Sequence, residues 1–283
     1  MPKTDGRLSL RFTYDATAAC TRLHVLEQRQ PLKVVRGFAL SDGGALVHLH
    51  NLSGGVLAGD RLSLNFSVGP GARAQITSTS ATRAYRSSAQ ATQAEVATEV
   101  EVGENALLEY LPDPLIPFAG ARYSQCTAVT LRAGAGLFWW ETLAPGREAR
   151  GELFSYDALR LSFELHAAGM PIAIEHNHLQ PSIRPLDSLA RLGPFRYLST
   201  FYICRPGAPE SLWNSLLQQL HALAVAQTSP VIIWGLARLP AHGLVVRALS
   251  RNGRDIARGQ VAFWRAAKQA LYGQDAVIPR KIY

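Results

Sequence analysis

Apolar and polar residues alternate along most of this chain. Leu8, Leu10, Phe12 and Tyr14 take turns with polar neighbours, and so do Leu62, Leu64, Phe66 and Val68. Leu159, Leu161, Phe163 and Leu165 repeat the pattern, as do Ile172, Ile174, His176 and His178. A period of two sends one set of side chains to a buried face and predicts half-buried strands. Shorter runs at 22–27, 32–35 and 46–50 read the same way. The period changes only late. Over Glu210–Gln227, behind Pro209, the residues Leu212, Trp213, Leu216, Leu217, Leu220 and Leu223 recur at helical spacing. Over 255–272 the residues Ile256, Phe263, Trp264, Ala267 and Leu271 do the same, and Gly273 is the expected stop. Runs at 231–234 and 244–249 predict strands between the two helices.

One plan recurs three times. Residues 67–72 carry a glycine turn into the run 73–77, residues 101–106 into 107–111, and residues 131–136 into 137–143. A spacing of about thirty residues predicts stacked supersecondary units. No linker or low-complexity tract interrupts the chain. The expected fold is therefore mainly β, a single domain over 1–283. It consists of stacked, superhelical, β-helix-like sheets with two α-helices near the C-terminus.

The sharpest local feature is a turn with Gly54, Gly55 and Gly59, followed by Asp60 and the strand at 62–68. Glycine reaches positive φ without a steric penalty. The turn thus holds one carboxylate at the head of a strand, and by itself it reads as an ordinary hairpin-like turn.

Composition narrows the function. Charged residues are 18% of the chain and hydrophobic ones 47%, so part of the surface is expected to be covered by partners. The net charge of +8 permits acidic ligands. The arginines are nevertheless scattered, without a basic run or an aromatic RNA-binding motif, so nucleic acid is not expected. Cys20, Cys126 and Cys204 are far apart, which fits a reducing cytoplasm and not a disulfide framework or zinc cage. The N-terminus lacks an apolar signal core, and the longest greasy run, 230–236, is too short to span a bilayer.

No P-loop, His-Glu-x-x-His or Gly-x-Ser-x-Gly occurs. Two His-x-His pairs, His48/His50 and His176/His178, share a strand face and are candidate metal chelators or plain polar tips. Glu109 and Glu141 lie in apolar runs, where a carboxylate is costly unless paired or cation-bound. Each reads as a raised-pKa acid, a weak metal ligand, or one half of a buried salt bridge to Arg147 or Arg122.

Four stretches taken together resemble the UreD (UreH) family of urease accessory proteins. The family's Gly-Gly-hydrophobic-hydrophobic-Gly-Gly-Asp turn is matched at 54–60, with Ala58 in place of one glycine. Its hydroxyl-rich segment leading to Arg/Lys-x-Tyr-Arg-Ser is matched at 77–87. Its Glu-Trp-Leu-Pro and Phe-x-Gly-Ala stretches are matched at 109–112 and 118–121, with Tyr110 for tryptophan. Its Gly-Arg-x-Ala-x-Gly-Glu-x-Phe is matched at 146–154. The end, 278–283, is similar to the family's Pro-Arg tail, whereas 181–223 matches loosely.

This resemblance implies a non-enzymatic maturation scaffold. It would bind apo-urease, a UreF-like protein and a UreG-like GTPase, and support GTP-dependent nickel insertion. GTP would sit on the partner GTPase alone, and no cofactor would be held tightly. Nickel binds imidazole and thiolate tightly, so sparse oxygen ligands suit a transient path. The residues implied for it are Asp60 and Glu141, then Glu109 and Thr77. Two other readings compete: a metal-dependent hydrolase using His48, His50, His176 and His178, and a basic β-superhelical module for acidic polymers.

Overall fold

The structure is a computed structural model and describes residues 4–87 and 93–279. Residues 280–283 of the tail motif lie outside it. The chain opens with β1 (Asp5–Asp15), β2 (Cys20–Arg29), β3 (Leu32–Lys33), β4 (Gly37–Ala39) and β5 (Ala45–Asn51). The glycine turn leads into β6 (Arg61–Val68), β7 (Arg73–Ser78) and β8 (Thr82–Ala84). Next come β9 (Ala94–Val102), β10 (Leu107–Tyr110) and β11 (Leu115–Pro117), then β12 (Arg122–Leu131) and β13 (Gly136–Leu143). A 3₁₀ turn at Glu148–Arg150 precedes β14 (Ala158–Ala167), β15 (Met170–Leu179) and β16 (Tyr197–Cys204). Helix α1 (Glu210–Gln227), β17 (Ile232–Arg238), β18 (Gly243–Ser250) and helix α2 (Gly253–Tyr272) complete the order.

The strands form two sheets. The first runs β15-β14-β12-β9-β6-β1-β2. The second runs β17-β18-β16-β13-β10-β7-β5-β3, with β4, β8 and β11 attached at its side. The fold is thus mainly β with two late helices, α1 over the expected residues and α2 begun two residues earlier.

The three repeated units are real neighbours. Strands β6, β9 and β12 lie side by side and parallel in the first sheet. Their partners β7, β10 and β13 lie side by side and parallel in the second. The turns between them share one geometry. Gly71, Asn105 and Gly134 take the left-handed conformation at equivalent positions, with φ of 67°, 53° and 67°. Glycine and asparagine are the residues that enter it most readily. The buried Ala72, Ala106 and Ala135 follow them. Pairing runs on through the turns: the Gly71 N–H donates to Glu104 O at 2.9 Å and the Asn105 N–H to Ala133 O at 3.0 Å. These bonds pair turn amides that would be costly to leave dry and unpaired.

The main core lies between the sheets and includes Leu62, Leu64, Phe66 and Val68, the alternating set of β6. Strand β13 is covered on both sides, so its apolar run is nearly unbroken. Leu137 and Trp139 point between the sheets; Phe138 and Trp140 point towards the helices, where a second cluster holds Trp213, Phe263 and Trp264.

One alternation is not carried through. Ile172 is buried but Ile174 is exposed, and His176 and His178 with it. The register of β14 and β15 shifts between Leu165 and His166, which pair with Ala173 and Pro171. The skipped Ile172 is a bulge. A one-residue insertion moves every following side chain to the other face. Among the described residues, no helix is long and apolar enough to cross a membrane.

Candidate functional site

The glycine turn is built against β8. Gly54 and Gly59 have φ of 74° and 86°. Gly55 is needed for space: a Cβ there would lie 2.4 Å from Tyr85 Cε2 and 2.5 Å from Arg83 O. Val56 bridges to Ala84. Ala58 is not among the left-handed residues, so alanine replaces glycine there without strain. Asp60 is 3% exposed, and its carboxylate accepts the Leu57 N–H at 2.9 Å. It closes the turn.

The four stretches singled out in the sequence meet here. Tyr85 packs edge-on against Phe118 at 4.9 Å between ring centroids. The Arg147 guanidinium lies over the same Phe118 ring, 4.3 Å from its centroid. Arg147 Nε donates to Glu152 Oε2 at 2.8 Å, and the same oxygen accepts the Ala119 N–H at 3.2 Å. Gly55, Tyr85, Phe118 and Arg147 each belong to a different stretch.

Beneath the turn a cavity of about 110 Å³ opens between the two sheets. Gly54, Gly55 and residues 79–82 line its outer end; Thr98, Thr127, Gln125 and Glu141 line its depth. Two smaller cavities, of about 80 and 50 Å³, also touch Glu141. The last of these extends to Glu175 and Asn177. Glu141 is therefore shared by the linings of all three cavities. It accepts one hydrogen bond, from Gln125 Nε2 at 2.7 Å. Burial pushes its pKa up to about 7; Trp139 and Gln125 oppose the rise, and the charge of Glu175 adds to it. The buried Trp139 Nε1 acts on this carboxylate from outside hydrogen-bonding geometry and has no hydrogen-bond partner among the described residues.

Glu109 and Thr77 lie elsewhere. Glu109 is on the opposite face of the second sheet, under α2, and 3% exposed. Trp264 Nε1 donates to its Oε1 at 2.8 Å, and the fully buried Lys268 Nζ stands 3.1 Å from Oε2. Asp42 is 3.5 Å from the same ammonium. Burial raises the Glu109 pKa, and Lys268 works against that rise. Of the readings left open in sequence, the buried ion pair holds for Glu109, but its cation is neither Arg147 nor Arg122. Those two are held locally by Glu152 and by Asp157, the latter at 3.1 Å. Thr77 Oγ1 donates to Leu111 O at 2.6 Å. Asp60, Glu109 and Thr77 are thus each bonded into the frame, and Glu141 is the one of the four that faces the cavity.

The histidine pairs do not converge. His48 and His50 are on β5 of the second sheet, while His176 and His178 are on the exposed edge of the first. His176 Nδ1 is 3.0 Å from Ser162 Oγ. Burial and the neighbouring His48 lower the His50 pKa. Among the described residues no group of three or more His, Cys, Asp or Glu side chains is placed to hold a metal ion. The four-histidine hydrolase site is therefore not assembled.

Sequence reading passed over Lys268, Gln125 and Glu175. A signal existed for two of them. Lys268 follows Trp264 by one helical turn, on the buried face. Gln125 sits between Tyr123 and Thr127 on the alternating inward face of β12.

The family model described as "UreD urease accessory protein" matches residues 4–282. The chain is 47% identical to "Urease accessory protein UreD" of Herpetosiphon aurantiacus, covering 100% of this chain and 98% of that protein. It is 33% identical to the Lysinibacillus sphaericus protein of the same name, over 71% of this chain and 74% of that one. It is 30% identical to "Urease accessory protein UreD 2" of Brucella abortus, over 93% and 88%.

Proposed function

The chain belongs to the UreD family of urease accessory proteins, non-catalytic chaperones of urease maturation, and from that premise we propose that its inter-sheet cavity gives nickel a weakly binding passage. One observation carries this reading: three neighbouring cavities all have Glu141 in their lining. Glu141 stands among hydroxyls and amides, with the His50 imidazole elsewhere in the main cavity's lining and Asp113 and Glu175 in the smaller ones, and such dispersed groups attract a divalent cation without a converging nitrogen or sulfur set that would trap it. The raised pKa of Glu141 means that an entering cation displaces a proton near neutral pH.

The partners we infer are apo-urease, a UreF-like protein and a UreG-like GTPase that holds the GTP. A cytoplasmic setting is in keeping with three cysteines that form no disulfide among the described residues. We read the chain as one domain over 1–283, because one apolar cluster includes residues from Leu8 to Val245. We read the stacked units as turns of a superhelix.

Asp60, Glu109 and Thr77 enter this reading as supports of the wall. Replacing Asp60 with alanine would strand the Leu57 amide and disturb the turn, so Glu141→Gln is the cleaner test. The variant is co-expressed with apo-urease and the accessory partners, and nickel per urease active site is measured. Lowered nickel in an assembled complex is expected. Normal nickel content would end the passage reading.

A further inference from the structure

The short strands β8 and β11 form a third, outward face that the passage does not use. They pair in parallel, with Arg83 opposite Ile116. Their outward side chains, continued by the next residues, are Arg83, Tyr85, Ile116 and Phe118. Arg86 lies just beyond: its chain runs over Gly120, where a Cβ would come within 3.2 Å of Arg86 Cγ and Nε. The strip borders the cavity opening, because Arg83 Nη1 reaches Gly54 O, at 3.5 Å.

The charges on this strip are unbalanced. Arg147 is satisfied by Glu152, Arg122 by Asp157 and Arg61 by Glu95. Arg83 and Arg86 are exposed and reach only backbone carbonyls, Gly54 O and Ala119 O, each at 3.5 Å. No carboxylate lies within 4.0 Å of either among the described residues, which include all 21 acidic side chains of the chain. Two guanidinium forks without a carboxylate partner among the described residues thus flank a half-buried Tyr–Phe pair, over whose Phe118 ring Arg147 lies. Arginine and aromatic residues held rigid in this way are what interface centres are made of, and the guanidinium fork matches a carboxylate. A chain of charge +8 with these groups at the rim also repels a free cation approaching the cavity.

We propose that the Arg83–Tyr85–Arg86–Phe118 strip docks an acidic segment of a partner in the urease-maturation complex. Its carboxylates pair with Arg83 and Arg86, and an apolar side chain of the segment rests on Tyr85 and Phe118. Docking neutralises the rim at the opening. The proposal rests on the accessory-protein assignment for its partners, but not on nickel passing Glu141.

The test uses the full chain co-expressed with apo-urease and its UreF-like and UreG-like partners. Arg83→Glu with Arg86→Glu is compared with Arg254→Glu and Arg258→Glu, two exposed arginines of α2 that change the net charge equally. Retention of partners is measured from low to high salt, with thermal melts as the check on folding. The strip variant is expected to bind about tenfold or more weakly at low salt and to lose most of the salt dependence; the α2 variant stays within about threefold of the parent. Equal losses in both variants, or no loss in either, would overturn the proposal. Should the reversal fail to fold, Arg83→Ala with Arg86→Ala replaces it under the same criterion. A photo-crosslinking residue at Tyr85 names the occupant. Capture of a net-acidic partner segment supports the proposal, and capture of a basic segment, or of none in an assembled complex, sinks it. Normal binding by the strip variant together with lost nickel in Glu141→Gln would reject docking and keep the passage; the reverse result would do the opposite.

Discussion

The second sheet carries a carboxylate on each face, one buried and one half-buried, and the two are treated in opposite ways. Glu109 on β10 faces the helices and meets Trp264, Lys268 and, at 3.4 Å, Gln75. Glu141, on the neighbouring strand β13, faces the other sheet and meets Gln125 and open space. Both sit in apolar runs and look alike in sequence. The difference lies in how many of their oxygen lone pairs are already taken. A saturated carboxylate is a fastener, whereas an unsaturated one beside a cavity is free to bind.

The largest expected effect breaks the fastener. Lys268→Ala leaves Glu109 buried without its cation and should cost about 3–5 kcal/mol in urea unfolding. Changing both together, Glu109→Leu with Lys268→Met, should recover most of that loss, because neither charge is then stranded.

The next effect is steric. Gly55→Ala drives a methyl into Tyr85 and the Arg83 carbonyl. A loss of about 1–3 kcal/mol is expected, read by thermal unfolding.

Glu141→Gln should act in the other direction, and only in one pH range. The Glu141 pKa rises from 4.5 to about 7 on folding. Between those values the folded state holds a proton that the unfolded state has lost, so the parent loses stability as pH rises. The glutamine variant should therefore match the parent below about pH 4.5, gain on it through the window, and keep the full advantage above pH 7. Stability curves of both proteins from pH 4 to 8 check this. The same substitution at Glu109 should be destabilising near neutral pH, because it leaves the fully buried Lys268 with only the more distant Asp42 as its anion.

The smallest effect is at the surface. Arg238 and Glu210 form an exposed pair at 2.8 Å. Glu210→Gln should change stability by less than about 0.5 kcal/mol.

Much of the frame was legible because it is local. The helix at Glu210–Gln227, the stop at Gly273, and the strand–turn–strand plan of the three units are each signalled by residues within a few positions of one another. The contrast between Glu109 and Glu141 was not legible. Lys268 is 159 residues from Glu109, and nothing near either position in the chain announces the other. Arg147 and Arg122 lie closer in sequence to the two glutamates, but each had a carboxylate still closer in space. The Ile172 bulge escaped for another reason: one skipped residue leaves the composition intact and inverts the pattern behind it. The cavity was visible only as its hydroxyl-rich rim.

The stacked turns also constrain how the chain reaches this state. Each strand of the three units waits for a partner about thirty residues away, and no unit is complete without the one before it. Such parallel, non-local pairing is slow, because the loop must close before its contacts form. Assembly then resembles a zip, in which the last finished unit is the template for the next. A chain stopped midway presents an open parallel edge, which is an aggregation hazard. Yield of native protein should accordingly respond more to synthesis rate and temperature than to the equilibrium stability of the finished fold.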